Sequence, residues 1–431
     1  MSKQQQSTMQ PKTIWLFGIL GIASVTTCFV ATNPALSVLG EHYAGQNYTM
    51  LSSIHTVATF FMTLITGVLI SSGRMKYRLC AILGTAIMFI SGTLPGIVPD
   101  PSFEFALGCR LVFGVGVGFV TPLMNSLILN IYSGDKQSRY TGWVQTVKEG
   151  GSVVFQMLGG FLAAQPNDGW HMSFLAFGLC LVGVIAAFFV PEPPKEIIAQ
   201  KAAEKRAAAQ AAGGDGKAKL GIACFVIAFF LFLYSLLQMS LQMNVATMFS
   251  VKFASDSVAS ATALSCKTVF GMLAGIAFGF LFKFNSRIVL PIACFAGCLS
   301  GILFRVAGDP IMGTVATCGI GFGFATFMPS AMMLNGKYTH PARIAMGTSI
   351  ILAAANISNF CSSLYMGTVA NIFGGGDLKS IATIDALCVI AAVVYFAMAI
   401  LFLVWNPFKG GRKPAPAEAP AAEASGEGEK E

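Results

Sequence analysis

The feature that most constrains this chain is a succession of apolar runs, broken only by short charged, proline-containing or glycine-rich joints. The runs lie at about 13–39, 49–72, 77–98, 103–131, 140–164, 170–190, 219–249, 257–282, 287–306, 310–335, 343–372 and 381–404. A helix crosses a bilayer with about 20 apolar residues, and every run reaches that length. In lipid each backbone polar group must be paired within the protein, so only helices and closed barrels can cross. The two-residue alternation of a barrel strand is missing. The expected fold is all-α and integral to a membrane, with twelve transmembrane helices. Soluble domains carry about a quarter charged residues; here the figures are 11% charged and 55% hydrophobic, with mean hydropathy +0.70. The first run follows MSKQQQSTMQPK without a small-residue cleavage pattern, so it reads as a retained span and not a signal peptide.

The basic residues orient the spans. With the N-terminus inside, 21 of the 27 Lys and Arg fall in segments on the cytoplasmic side, and only Lys252, Arg305 and Lys379 fall outside. That asymmetry places both termini in the cytoplasm of a cell-membrane protein by the positive-inside rule. The net charge of +8 is thus an orientation signal, and nucleic acid is not an expected partner.

One long polar segment, 191–218, divides the chain into six-helix bundles at 13–190 and 219–404. Its Ala, Lys and Glu content fits a surface helix or linker on the cytoplasmic side. A cytoplasmic N-terminus, 1–12, and a Pro/Ala/Glu-rich tail, 405–431, flank the bundles; the tail has the composition of a disordered segment. The halves resemble each other. GVGVGFVTPLMNSL (114–127) is followed by Arg139, and GIGFGFATFMPSAM (319–332) by Arg343, so the Arg lies 25 residues beyond the first Gly in one copy and 24 in the other. Duplicated halves with a mid-membrane site between them are a property of secondary transporters. A GxGxG inside an apolar run reads as close helix packing; no strand precedes it, as a nucleotide loop would need.

These features resemble the major facilitator superfamily over about residues 13–405. Arg110 with Gly114, Gly116 and Gly118 looks like that family's Arg-then-Gly motif, and the resemblance implicates this Arg in proton coupling. Gly67, Arg74, Lys76 and Arg78 resemble its gating loop after the second span, and Arg139 resembles the arginine at the mouth of the fifth. The resemblance also implies that spans five and eight adjoin, which would allow a Glu149–Lys267 bridge. Ser71 stands where the family loop offers an Asp, and Phe155-Gln156 where many drug antiporters have Gly-Pro. The first span shows Thr26, Thr27, Thr32 and Asn33 in place of a membrane acid. These departures weigh against multidrug efflux.

Ionisable groups inside spans are functional candidates, since a charge at a helix centre costs about 2.5–3.5 kcal/mol on insertion scales. Four stand out: Arg110, Lys148, Glu149 and Lys267. Lys148 and Glu149 lie about 12–14 Å into the fifth run at 1.5 Å per residue. Adjacent residues point about 100° apart on a helix, so the two cannot neutralise each other face to face. Gln145, Lys148/Glu149, Ser152 and Gln156 recur at helical spacing as a polar stripe. Lys148 is a candidate for an anionic substrate group and Glu149 for the coupling proton; both could equally form interhelical salt bridges. Either Lys148 or Lys267 pairs with Glu149, and one cation is then surplus. Tyr234, Gln238 and Gln242 share a face of the seventh span, and Asn356 and Asn359 one of the eleventh. With Asn33, these are the polar residues expected along a substrate path, although interhelical hydrogen bonding is the plainer role for each.

All eleven cysteines fall in apolar runs without a CxxC pair, and the four histidines are scattered. Neither a disulfide framework nor a metal site is read from them. There is no HExxH, no GxSxG and no large soluble domain, so catalysis is not expected. The function that emerges is secondary active transport of a small organic anion, a carboxylate, by alternating access, as a monomer in a lipid bilayer and driven by a proton gradient without a cofactor. The alternative is proton-driven efflux of drugs or metabolites.

Overall fold

A computed structural model of the protein describes residues 13–71, 74–132, 134–166, 169–192, 222–339 and 344–408. The N-terminal segment, nearly all of the expected linker, Arg343 and most of the tail lie outside the described residues. Among the described residues the regular structure is helical throughout. The first span, Thr13–Val25, continues as a 3-10 turn, Cys28–Thr32, and a short helix Leu36–His42 follows it. The second comprises Met50–Ser53 and His55–Ser71; the third is Tyr77–Thr93, the fourth Phe103–Ile131 and the fifth Gly134–Ala163. The sixth is assembled from Gly169–Met172, Ser173–Leu179 and Cys180–Ala187. The seventh is Ile222–Phe253, the tenth Pro310–Tyr338, the eleventh Ile344–Phe373 and the twelfth Ile381–Trp405. The eighth and ninth share one stretch, Ser257–Val306, bent where Asn285 leaves helical geometry (φ −159°, ψ 97°).

Eleven of these segments are long and apolar enough to cross a membrane by themselves. The fifth span is the exception, because its charges and glutamines lie among its apolar residues. It occupies a span's place nonetheless, packed between the first and the eighth.

Two of the boundaries that differ from the sequence expectation have a local cause. The first run does not continue as one helix to residue 39. Thr26 bonds its hydroxyl back to the Ile22 carbonyl at 3.0 Å, while Thr27 reaches across to the Lys148 carbonyl at 2.8 Å. Hydroxyls that bond backbone in this way compete with regular helix. The fifth span starts at Gly134, six residues earlier than its apolar run, because the exposed turn carrying Lys136 and Arg139 is helical as well. At other ends polar side chains cap the spans. Ser102, Asp256 and Asp309 accept the backbone N–H groups of Phe105, Ala259 and Met312 at 3.2, 3.0 and 2.7 Å. Each cap pairs a donor that the helix cannot satisfy itself.

The buried apolar side chains form one cluster drawn from residues 19–190 and another from residues 227–402. A small third cluster joins the halves, with Leu36 and Tyr48 against Met243, Ala246, Met366 and Val369. The fifth span lies hard against its neighbours through glycine. A Cβ at Gly151 or Gly159 would strike the Ser24 or Ala31 carbonyl of the first span, and one at Gly160 would strike Ala261 of the eighth. The repeated GxGxG segments do the same within each half: Gly114 and Gly116 abut the second and third spans, and Gly319 and Gly321 abut the ninth and eighth. This is the small-residue packing that lets membrane helices approach closely.

The halves are pinned together at the end away from the linker. Lys379 and Glu41 form an ion pair at 3.0 Å. Tyr48 and Thr247 share a hydrogen bond of 3.1 Å, Ser53 and Ser363 one of 2.6 Å, and Ser260 donates to the Pro34 carbonyl at 3.2 Å. Asn47 donates to the Ser363 carbonyl at 2.9 Å. Burial pushes the Tyr48 hydroxyl up to about 12, so it stays neutral in this seal. A Cβ added at Gly67, Gly142, Gly150, Gly275 or Gly279 meets nothing within 4 Å.

Candidate functional site

The charged pair sits at the centre of its helix: Lys148 and Glu149 are the fifteenth and sixteenth of 30 residues. Both are half-buried, whereas Ser152 and Gln156, one and two turns further on, are buried. The polar stripe is therefore graded, exposed at Gln145 and buried at Gln156. Pairs four residues apart bond along it, as helix geometry allows. Gln145 donates to Glu149 Oε1 at 2.8 Å, and Gln156 donates to Ser152 Oγ at 2.8 Å. Gln156 also donates to Thr268 of the eighth span at 3.2 Å, a polar bond between the halves near mid-membrane.

Lys267 faces this stripe from the eighth span. Its ammonium donates to Gln242 Oε1 at 2.7 Å, and Gln242 accepts a second bond, 3.0 Å, from Gln238. Glu149 interacts with Lys267 electrostatically. The expected Glu149–Lys267 bridge is nevertheless not made in this structure: the ion pairs among the described residues are His42–Asp100, Lys252–Asp385 and Lys379–Glu41. Each charge is instead held by a glutamine of its own half. The Lys148 ammonium has no hydrogen-bond or ion-pair partner among the described residues; its backbone carbonyl is the group that Thr27 ties to the first span. Asn356 and Asn359 of the eleventh span are half-buried with unbonded amides among the described residues. The centre of the molecule thus presents two cations, one carboxylate and several amides at the meeting of the halves.

Other candidates lie elsewhere. Tyr234 does not join Gln238 and Gln242 on a path. It is buried in the C-terminal half, stacked on Phe327 at 4.2 Å between ring centres, and donates to the Ala293 carbonyl at 3.2 Å. Its own carbonyl accepts from Tyr395 at 3.0 Å. Asn33 is buried and accepts the Ser52 hydroxyl. Arg110 is fully buried inside the N-terminal half. Its guanidinium donates to the Leu51 carbonyl at 2.7 Å, the Phe29 carbonyl at 3.3 Å and Thr32 Oγ1 at 3.1 Å, and lies over the rings of Phe113 and Phe177. No carboxylate is among these partners. Such bonds tie spans one, two and four into one bundle.

The basic loop after the second span leaves Arg74 and Lys76 exposed, and Gly67 has open space around it. Arg78 donates to the Val190 carbonyl at 3.0 Å, and Glu192 accepts the backbone N–H groups of Tyr77 and Arg78 at 3.0 and 3.2 Å. The loop is thereby fastened to the end of the sixth span. Arg139 lies 4.9 Å from the Trp143 ring centre. Glu192 is not among the sequence candidates, nor are Asn47, Tyr48, Thr247 and Ser363 of the seal. Short polar side chains at wide separations carry no signal in sequence until the fold brings them together. Among the described residues no group of three or more His, Cys, Asp and Glu could hold a metal ion.

The fold is shared with solved transporters. The structure resembles the nucleoside transporter NupG at 16% identity and TM-score 0.69, over 92% of this chain and 99% of that one. A bacterial homologue of the human lysosomal transporter Spinster, solved inward-facing and unoccupied, matches at 17% and 0.67, over 94% and 100%. A peptide transporter, POT, matches at 14% and 0.68, over 94% and 96%. At these identities the likeness is one of fold. No curated protein matches the sequence. The family model of the Major Facilitator Superfamily matches residues 18–325, well over half the chain. The chain is a multi-pass membrane protein with the fold of a secondary transporter, and it belongs to the Major Facilitator Superfamily.

Proposed function

We propose that the protein moves a small organic anion across the cell membrane by alternating access, coupled to protons, with both termini in the cytoplasm. One observation carries the reading. Two lysines stand at mid-membrane around a single glutamate, and neither is ion-paired among the described residues. Lys148 is unpartnered there and Lys267 rests on an amide. A cation left without a counter-ion in a region of low dielectric is costly, and a bound carboxylate would supply the missing charge. The substrate's polar remainder would meet Asn356, Asn359 and Gln238. The reading makes the protein a carrier acting as a monomer, with no catalytic step.

The seal at the end away from the linker supports reading this as a state accessible from the cytoplasm. Glu149 is the acid at the centre, so it is the proton carrier in this scheme. While ionised it attracts Lys267; protonated, it releases that lysine to the substrate. Closing spans five and eight at the linker end would let Glu149 and Lys267 exchange their glutamines for each other. The test is uptake of a panel of carboxylates by vesicles containing the purified protein, with and without an imposed proton gradient. Glu149→Gln should lose gradient-driven accumulation yet keep substrate exchange between the two sides. Full accumulation by that variant would remove Glu149 from the coupling role. Unchanged anion affinity in both Lys148→Gln and Lys267→Gln would remove the anion.

A further inference from the structure

Two glutamines at the polar centre have their NH2 groups engaged and an oxygen left over. The Lys267 ammonium can only donate, so the Gln242 atom that it meets at 2.7 Å is the amide oxygen. Gln238 approaches that same oxygen at 3.0 Å and must therefore turn its NH2 towards it. Gln238 Oε1 is then buried without a partner among the described residues. Gln156, in the other half, is fixed in the same way. Thr268 gives its hydroxyl proton to the Leu264 carbonyl at 3.1 Å, so towards Gln156, 3.2 Å away, it accepts. Gln156 thus turns its NH2 to Thr268 and to Ser152, and its Oε1 too is buried and unpartnered among the described residues. Neither oxygen can be exchanged for a donor by turning the amide over, because each neighbour needs what it already has.

Both oxygens belong to the surroundings of Lys267, one through Gln242 and the other through Thr268, the next residue in the chain. Asn359 is at the same depth. Cys224 meets the Gly347 carbonyl at 3.9 Å, and Ser362 and Ser363 meet Met243 Sδ at 3.6 and 3.7 Å, so spans seven and eleven run parallel. One turn back from Ser363 and Met243 stand Asn359 and Met239, which puts Asn359 level with Gln238. A buried acceptor is costly until a donor reaches it. A carboxylate bound to a lysine cannot serve, since it only accepts; the donor must come from the remainder of the substrate. Two lysines and one glutamate leave one surplus positive charge, which a single carboxylate balances. A hydroxyl donates without disturbing that balance, whereas an ammonium would add a second charge. We infer that the substrate is a hydroxycarboxylate, whose carboxylate takes the lysine charge and whose hydroxyl donates to Gln238 or Gln156. The inference rests on the anion reading of the centre and adds the class of anion.

The test is calorimetric binding to the full-length protein purified in detergent, with ligands that differ only in the donor. The first series is propanoate, 2-hydroxypropanoate, 2-methoxypropanoate and 2-aminopropanoate; the second is succinate with its 2-hydroxy and 2-methoxy derivatives. The methoxy oxygen accepts but cannot donate, so it separates a hydrogen-bond donor from mere size and polarity. In at least one series the hydroxy acid should bind at least about tenfold more tightly than both the parent and the methoxy acid. In the double variant Q156M/Q238M, which keeps side-chain length and removes both oxygens, that preference should fall to about one. Should the double variant misfold, Gln238→Met and Gln156→Met are read singly, and at least one should lower the preference; the ligand comparison on the unaltered protein stands without any variant. Equal binding of hydroxy and methoxy acids overturns the inference, as does an undiminished preference in the folded double variant. Tighter binding of 2-aminopropanoate than of 2-hydroxypropanoate overturns it in favour of an amino acid. If all the carboxylates bind alike, this inference falls and the anion reading stands; if none binds, both fall.

Discussion

At mid-membrane the protein keeps opposite charges apart with amides. Gln145 holds Glu149 and Gln242 holds Lys267, each within its own half. A glutamine is a weaker partner than an ion, so in the proposed scheme the lysine stays available to a substrate carboxylate. Lys148→Gln and Lys267→Gln should each weaken anion binding by about tenfold or more, corresponding to about 1.4 kcal/mol, in a substrate-induced shift of the melting temperature. Tyr234 makes the useful contrast. Its hydroxyl bonds the Ala293 carbonyl deep in the C-terminal core. Tyr234→Phe should therefore cost about 1 kcal/mol of stability, seen as a lower melting temperature, with substrate affinity unchanged. A loss of affinity without a loss of stability would return Tyr234 to the transport path.

At the level of helices, movement needs one end of the interface to be weak while the other is strong. The seal depends on the eleventh span, where Ser363 bonds Ser53 and receives Asn47. Removing the Ser363 hydroxyl takes away about 1 kcal/mol, a shift of roughly fivefold between two states. In a variant whose native cysteines are replaced, Ser363→Ala should raise the labelling rate of a single reporter cysteine placed at Asn359, one turn further into the interface, by a membrane-impermeant thiol reagent applied from the distal side. The Lys379–Glu41 pair is more exposed, and surface pairs contribute about 0–1 kcal/mol, so Lys379→Ala alone should change that rate less. The fifth span also needs its glycines. Gly151→Val would drive a side chain into the Ser24 carbonyl, and overpacking of this kind costs about 1–3 kcal/mol. Its expected signature is reduced yield of folded protein, where the open position Gly150 tolerates Ala.

For the molecule as a whole, the two halves have separate apolar cores and meet through a narrower, more polar interface. Separate cores let each half move as a body, and a polar interface can be remade by water on either side. The +8 charge belongs at this scale too, as a bias in how the chain inserts. In the proposed orientation, an added C-terminal protease site should be cut only when the cytoplasmic face of the membrane is accessible; cleavage from the other face would reverse that orientation.

The twelve spans, the duplicated halves and the central charges were legible in the sequence because each has a local cause. Lipid demands unbroken apolar helices, and a charge within one is conspicuous at any scale of reading. The packing glycines of the repeated GxGxG were legible for the same reason, at Gly114 and Gly319. The sequence could not say that Tyr234 bonds within the C-terminal core while Gln242 meets Lys267, since both lie on one helix and their neighbours come from different spans. Nor could it decide whether Glu149 meets Lys267. That depends on how far apart two helices stand, a property of the state in which the halves rest and not of either helix. The sequence by itself determined the spans and the charges placed in them; the tertiary structure alone decided the partners, because hydrogen bonds and ion pairs form only across distances that packing sets.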